Sequence, residues 1–90
     1  MAGRAPIGLY QAFLGANVRR WRLRRKLTQE QLIERTGMDI RFEQRIEGGE
    51  INTRLDTIVR LAQALEVEPS VLLRPAKVTQ PKTGRPKKRR

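Results

Sequence analysis

The stretch Thr28–Gly49, TQEQLIERTGMDIRFEQRIEGG, decides the fold. Thr28-x-x-Gln31 has capping-box spacing, in which a hydroxyl and an amide three residues apart satisfy each other's free backbone N–H groups. A helix therefore opens at Gln29. Leu32 and Ile33 supply its buried side and Gly37 ends it. Asp39 is a suitable N-cap for the next helix, which begins at Ile40 and is stopped after Glu47 by Gly48 and Gly49. The result is two short helices joined by a tight glycine-containing turn.

The later of these helices has two unlike sides. Successive residues rotate by about 100° around the axis, so with Met38 at zero Phe42 falls near 40° and Ile46 near 80°. Ile40, Arg41, Gln44 and Arg45 spread over roughly 200° to 340°, away from that oily edge. Arg can bind guanine O6 and N7 bidentately, Gln can do the same with adenine, and an aliphatic side chain packs on a thymine methyl. One short face thus carries three kinds of base reader. A polar face with two Arg is also what an ordinary solvated helix shows, so the face needs its context.

Working outward, Leu14, Val18 and Trp21 have the four-then-three spacing of one helical face. They predict a first helix over Leu14–Lys26, with Trp21 in the core rather than stacked on a base. Gly8 and Gly15 argue against one unbroken helix reaching back to the N-terminus, so Met1–Phe13 is set apart as an extension, whose Ile7, Tyr10 and Phe13 continue the first helix, pack on the body or contact a partner. Past the Gly48-Gly49 break, Asn52 or Thr53 is placed to cap a fourth helix. Its Leu55, Ile58, Ala62 and Leu65 form the most regular apolar stripe in the chain. Pro69 suits the first position of a short fifth helix, with Val67 and Leu72 spaced as a hydrophobic staple. Nothing alternates with strand period and nothing repeats, so the expected class is all-α: a compact five-helix domain over residues 14–73.

Composition narrows the function. At 90 residues the chain has room for one small domain with tails, a size at which only about 60% of the unfolded surface is buried and association would help stability. It has no Cys, no His and a single Ser, Ser70. Disulfides, thiolate or imidazole metal sites and the usual nucleophile–base pairs have no residues to build them, so neither an enzyme nor a cofactor is expected. No continuous apolar run suggests a signal peptide or membrane span, and a cytoplasmic, nucleoid-associated chain is expected. Twenty Lys and Arg against nine Asp and Glu give +11. Eight of the basic residues and none of the acids fall from Arg74 onward, leaving the body at a modest +3. A near-balanced module with a cationic arm is the pattern of a polyanion binder.

Thr28-Gln29-Glu30-Gln31-Leu32, Gly37, the Ile46-Glu47-Gly48-Gly49 ending and the Leu55–Leu65 stripe together resemble the lambda-repressor and Cro type of helix-turn-helix, the Xre family. The resemblance covers Leu14–Leu73. It implies a DNA-binding domain whose third helix lies in the major groove, with Ile40, Arg41, Gln44 and Arg45 reading bases. Gln29 resembles the family's phosphate clamp, with Asn52 and Arg54 as further phosphate contacts. Arg22 and Glu47 resemble the ion pair that ties the first helix to the end of the third. A homodimer on a roughly twofold operator is likewise implied. Two residues depart from the pattern. Glu43 stands where the family has a core-facing apolar residue, so its carboxylate must reach the rim or find a partner. Ile33 stands where the family has Ala, which calls for a wider crossing or smaller neighbours.

The end of the chain, residues 74–90, is rich in Pro, Gly and cations and is expected to be a disordered basic tail. Within it Lys82-Thr83-Gly84-Arg85-Pro86-Lys87-Lys88 resembles an AT-hook, which lays an Arg along a narrow minor groove. Lys82, Arg85, Lys87, Lys88, Arg89 and Arg90 are the candidate tail contacts, the alternative being a generic cationic arm. The leading expectation is a sequence-specific transcriptional regulator, a repressor by resemblance, on double-stranded DNA. Two other readings fit the same residues. One is an architectural, weakly specific DNA binder. The other is an antitoxin-like or coactivator-like module whose third-helix face meets a protein partner.

Overall fold

The computed structural model describes residues 6–78, and the tail contacts named above from Lys82 onward lie outside the described residues. Four α-helices follow in order: α1 (Ile7–Arg24), α2 (Gln29–Thr36), α3 (Ile40–Glu47) and α4 (Leu55–Leu65), then a 3-10 helix, Pro69–Leu73. No strand occurs among the described residues. The fold is all-helical, with four α-helices, and the short fifth helix expected from Pro69 is a 3-10 turn. Its five residues are too few for an i→i+4 ladder, and Val71 N–H closes instead on Glu68 O at 3.0 Å.

The local signals of the Thr28–Gly49 stretch act as their chemistry requires. Thr28 Oγ1 accepts from Gln31 N–H at 3.0 Å while Gln31 Oε1 accepts from Thr28 N–H at 2.8 Å. Gly37 caps the end of α2 in the left-handed region at φ 76°, a conformation only glycine adopts without strain. Asp39 Oδ2 accepts from Arg41 N–H at 3.0 Å to open α3.

Two expectations are corrected. The first helix is unbroken from Ile7, through both Gly8 and Gly15, and Phe13, expected in an extension, is buried in the body. Gly15 is present because α1 crosses the end of α3 in backbone contact: a Cβ there would lie 2.7 Å from Glu47 O and still nearer Ile46 O. Tertiary approach outweighs the helix propensity that glycine lacks. The other concerns α4, which neither Asn52 nor Thr53 caps. Arg54 holds the N-cap position without a side-chain cap, and Thr53 Oγ1 is buried without a partner.

The core gathers Leu14 and Val18 of α1, Leu27, Leu32 of α2, Ile46 of α3, Ile58, Leu61, Ala62 and Leu65 of α4, and Leu72. Ile33 is only half-buried, so Leu32 is the residue of α2 that penetrates. Trp21 is half-buried against this core, and the Arg24 and Arg25 guanidiniums sit 5.1 and 5.3 Å from its ring centre. Arg25 also donates to Leu65 O at 2.8 Å and Arg35 to Ala64 O at 3.0 Å. A cation just past the end of α1 and another from α2 thus serve the carbonyl end of α4, which has no basic residue in its own last turn. Asn17 latches the chain after the 3-10 helix onto α1, donating to Leu72 O at 3.0 Å and Arg74 O at 2.9 Å. No helix among the described residues is long and apolar enough to cross a membrane.

Candidate nucleic-acid interface

The candidate reading face is set by how α3 seats. Ile46 and Glu43 are buried and Phe42 is half-buried against the core, which turns Arg41, Gln44 and Arg45 to solvent and leaves Ile40 half-exposed at the start of the helix. Among the described residues Arg41 makes no ion pair, whereas Arg45 leans toward Glu50 at 3.8 Å, both side chains being largely exposed. An exposed pair of this kind contributes little and is easily exchanged for another anion.

A connected polar chain runs from the domain's interior to this face. Arg22 of α1 donates through Nε to Glu47 Oε2 at 2.7 Å and through Nη2 to Glu47 Oε1 at 3.1 Å, and through Nη1 to Leu27 O at 2.9 Å. Gln29 Nε2, at the first residue of α2, donates to Glu47 Oε1 at 3.4 Å, and Gln44 Nε2 donates to Gln29 Oε1 at 3.2 Å. Two amides, one on each helix of the turn motif, are thereby aligned on the outer rim. Gln29 also sits where the free N–H groups of the α2 N-terminus point outward, an arrangement suited to a phosphate.

The charges of this chain are uneven in the direction the burial dictates. Burial pushes Glu43 up to about 9, and the neighbouring carboxyl of Glu47 adds to the effect. Burial acts the same way on Glu47, but the adjacent Glu43 carboxyl and the Arg22 guanidinium win and hold it below the ordinary carboxylate value. The hydrogen bond to Glu47 keeps Arg22 above its own ordinary value. Among the described residues Glu43 therefore neither reaches the rim nor meets a donor, and its carboxyl lies in the core.

The remaining candidates are more scattered. Asn52 and Arg54 are exposed in the connection between α3 and α4, and Arg54 is held by Asp56 at 3.2 and 3.3 Å. Arg19 of α1 was not among the residues singled out from sequence. It lines one hollow with Gln29, Gln44, Ala12, Ala16 and Val78, so a cation and the last described residue of the chain flank the two glutamines. The signal that finds it is helical spacing. Ala12, Ala16 and Arg19 share one face once α1 is extended back past Phe13. Among the described residues no group of three or more acidic side chains is arranged to hold a metal.

Residues 14–75 match the family model described as a helix-turn-helix domain. Among solved structures, the chain is similar to a hypothetical transcription factor, NHTF, from Neisseria. The TM-score is 0.71 at 32% identity, over 73% of this chain and 76% of that one. It is also similar to the restriction-modification controller protein C.AhdI from Aeromonas hydrophila. There the TM-score is 0.66 at 34% identity, over 69% of this chain and 94% of that one. No curated protein matches the chain.

Proposed function

The chain belongs to the helix-turn-helix domain family, and from that premise we propose that it is a sequence-specific DNA-binding transcriptional regulator acting as a homodimer on a roughly twofold site. In this reading α3 enters the major groove. Ile40, Arg41, Gln44 and Arg45 meet base edges, Gln29, Asn52, Arg54 and Arg19 meet phosphates, and the basic residues from Lys82 to Arg90 add phosphate or minor-groove contacts. The observation that carries the reading is the exposed row Arg41, Gln44 and Arg45, with Gln44 tied to Gln29 across the turn. Base reader and backbone clamp are built as one unit.

The test is selection of bound sequences from random duplexes at physiological salt, with the full-length chain and a chain ending at Leu73 side by side. An enriched twofold motif in both is the expected result. Arg41→Ala should then cost about 1 to 3 kcal/mol and relax discrimination at one base pair. Removal of the tail should lower the slope of log affinity against log salt by about 3 to 4 units if it neutralises about four phosphates. A second reading, a weakly specific architectural binder, is favoured by Arg19, Arg20, Arg24 and Lys77, which flank the exposed Leu23 and have no acidic partner among the described residues. It predicts no enriched motif and an affinity that collapses with the tail.

A further inference from the structure

Glu43 has no solvent exposure, and among the described residues neither of its oxygens meets a hydrogen-bond donor. The charged groups that face it are few: Glu47 one turn further along α3, Arg22 from α1 and Glu30 from α2. Arg22 is spent elsewhere, since its Nε and Nη2 go to Glu47 and its Nη1 to Leu27 O. Glu30 is exposed and adds only negative charge. One guanidinium therefore neutralises one carboxylate, and the second acid of the pair must keep its proton, because two carboxylates cannot share so dry a site. The proton belongs on Glu43, the member without a cation of its own. A protonated Glu43 has a single donor, and Glu47 is the acceptor beside it.

We propose that Glu43 is a positioning residue for DNA contact: its carboxyl donates a hydrogen bond to Glu47 and fixes the orientation from which Glu47 holds Arg22 and Gln29, and through Gln29 the reader Gln44. Glu47 Oε1 alone accepts from both Arg22 and Gln29, at 3.1 and 3.4 Å. A rotation of that carboxylate moves the phosphate clamp as well as the ion pair. The carboxyl thus does in the core what an apolar side chain at the same place could not. The DNA half of this inference rests on the function proposed above; the positioning half does not.

The experiment uses the full-length chain as wild type, Glu43→Gln and Glu43→Leu. Gln keeps a donor of the same shape and cannot ionise; Leu fills the volume and removes the donor. Side-chain amide signals of Gln29 and Gln44 in the ¹⁵N-labelled free protein report the network without DNA. Affinity for the duplex most enriched by the wild-type chain reports the interface. All three proteins should fold by far-UV circular dichroism. Glu43→Gln should keep both amide pairs in place and the affinity within roughly twofold. Glu43→Leu should shift both pairs toward free-glutamine positions and lose about tenfold in affinity, the scale of one charge-assisted hydrogen bond. A Leu variant whose Gln29 and Gln44 signals stay put overturns the positioning role, as does a Glu43 carboxyl that titrates near the ordinary carboxylate value. A wild-type chain that enriches no duplex overturns the proposed function instead, and the amide signals still decide Glu43 by themselves.

Discussion

Gln44 donates through its side-chain amide to Gln29 Oε1 at 3.2 Å, so the first residue of α2 and the middle of α3 are joined outside the backbone. An exposed amide pair of this kind adds little to folding. Its effect is on order: each glutamine has three side-chain torsions, and holding one end of both before DNA arrives removes part of the entropy that binding would otherwise have to supply.

The consequence is non-additivity in binding. Gln29→Ala and Gln44→Ala should each weaken affinity for the selected duplex, and the double variant should lose less than the sum, with a coupling of about 0.5 kcal/mol or more. A double-mutant cycle by titration measures it. Losses that add to within the usual scatter would mean that the two glutamines act separately on DNA.

Arg22 and Glu47 predict a different outcome, in stability. Their side chains are 9% and 5% exposed, and Arg22 also satisfies Leu27 O. Removing the cation leaves the buried Glu47 carboxylate without its counter-ion and the Leu27 carbonyl without its guanidinium donor. Arg22→Ala should cost about 3 to 5 kcal/mol in urea unfolding, a large part of the stability of so small a domain. Because the pair is shielded from water, the loss should persist at high salt, whereas Asp56→Ala, at the exposed Arg54 pair, should change stability by less than about 1 kcal/mol.

Gly15 of α1 has no room for a side chain. Alanine is the better helix former, by about 1 kcal/mol, and at a neutral site Gly15→Ala would stabilise. Here the new methyl meets the carbonyls of Ile46 and Glu47, main-chain atoms at the end of the reading helix. Overpacking of about 1 to 3 kcal/mol should exceed the propensity gain, and α3 should tilt. Gly8→Ala, with nothing within 4 Å, is the control and should raise the unfolding midpoint. Reversed signs for the two substitutions would refute the close crossing.

The turn motif was legible because its signals are local. Thr28 with Gln31, Gly37 and Asp39 each satisfy backbone groups within three residues of themselves, so residue type and spacing suffice. The face of α3 was legible from Phe42 and Ile46 for the same reason. What depends on another element was not. Gly15 reads as a helix breaker until α3 is laid across it, and without α1 reaching back to Ile7 the placement of Arg19 beside Gln29 has no basis. Asn52 and Thr53 have the chemistry of caps, yet α4 begins only after Arg54, past both of them. Glu43 is the sharpest case: the family resemblance puts its position on the core-facing side, but charge argues for the rim, and only the ion pair between α1 and α3 resolves the conflict.

That conflict leaves a signature in pH. Glu43 releases its proton near the ordinary value of 4.5 when unfolded and near 9 when folded. A raised folded value means that the contribution of the neutral acid is fully present below about 4.5 and is lost as pH rises through about 9. Glu47, with a lowered value, acts at the other end: its contribution is present above its unfolded value and is lost in acid. The chain has no His and no Cys, so between about pH 6 and 8.5 no other side chain at its ordinary value changes charge. The urea midpoint of the wild-type chain should therefore fall across that window, with a slope of at most about 1.4 kcal/mol per pH unit for one proton. Glu43→Gln should be flat over the same window. A wild-type midpoint that does not move would show that Glu43 is already ionised at pH 6, and the neutral acid in the core would have to be abandoned.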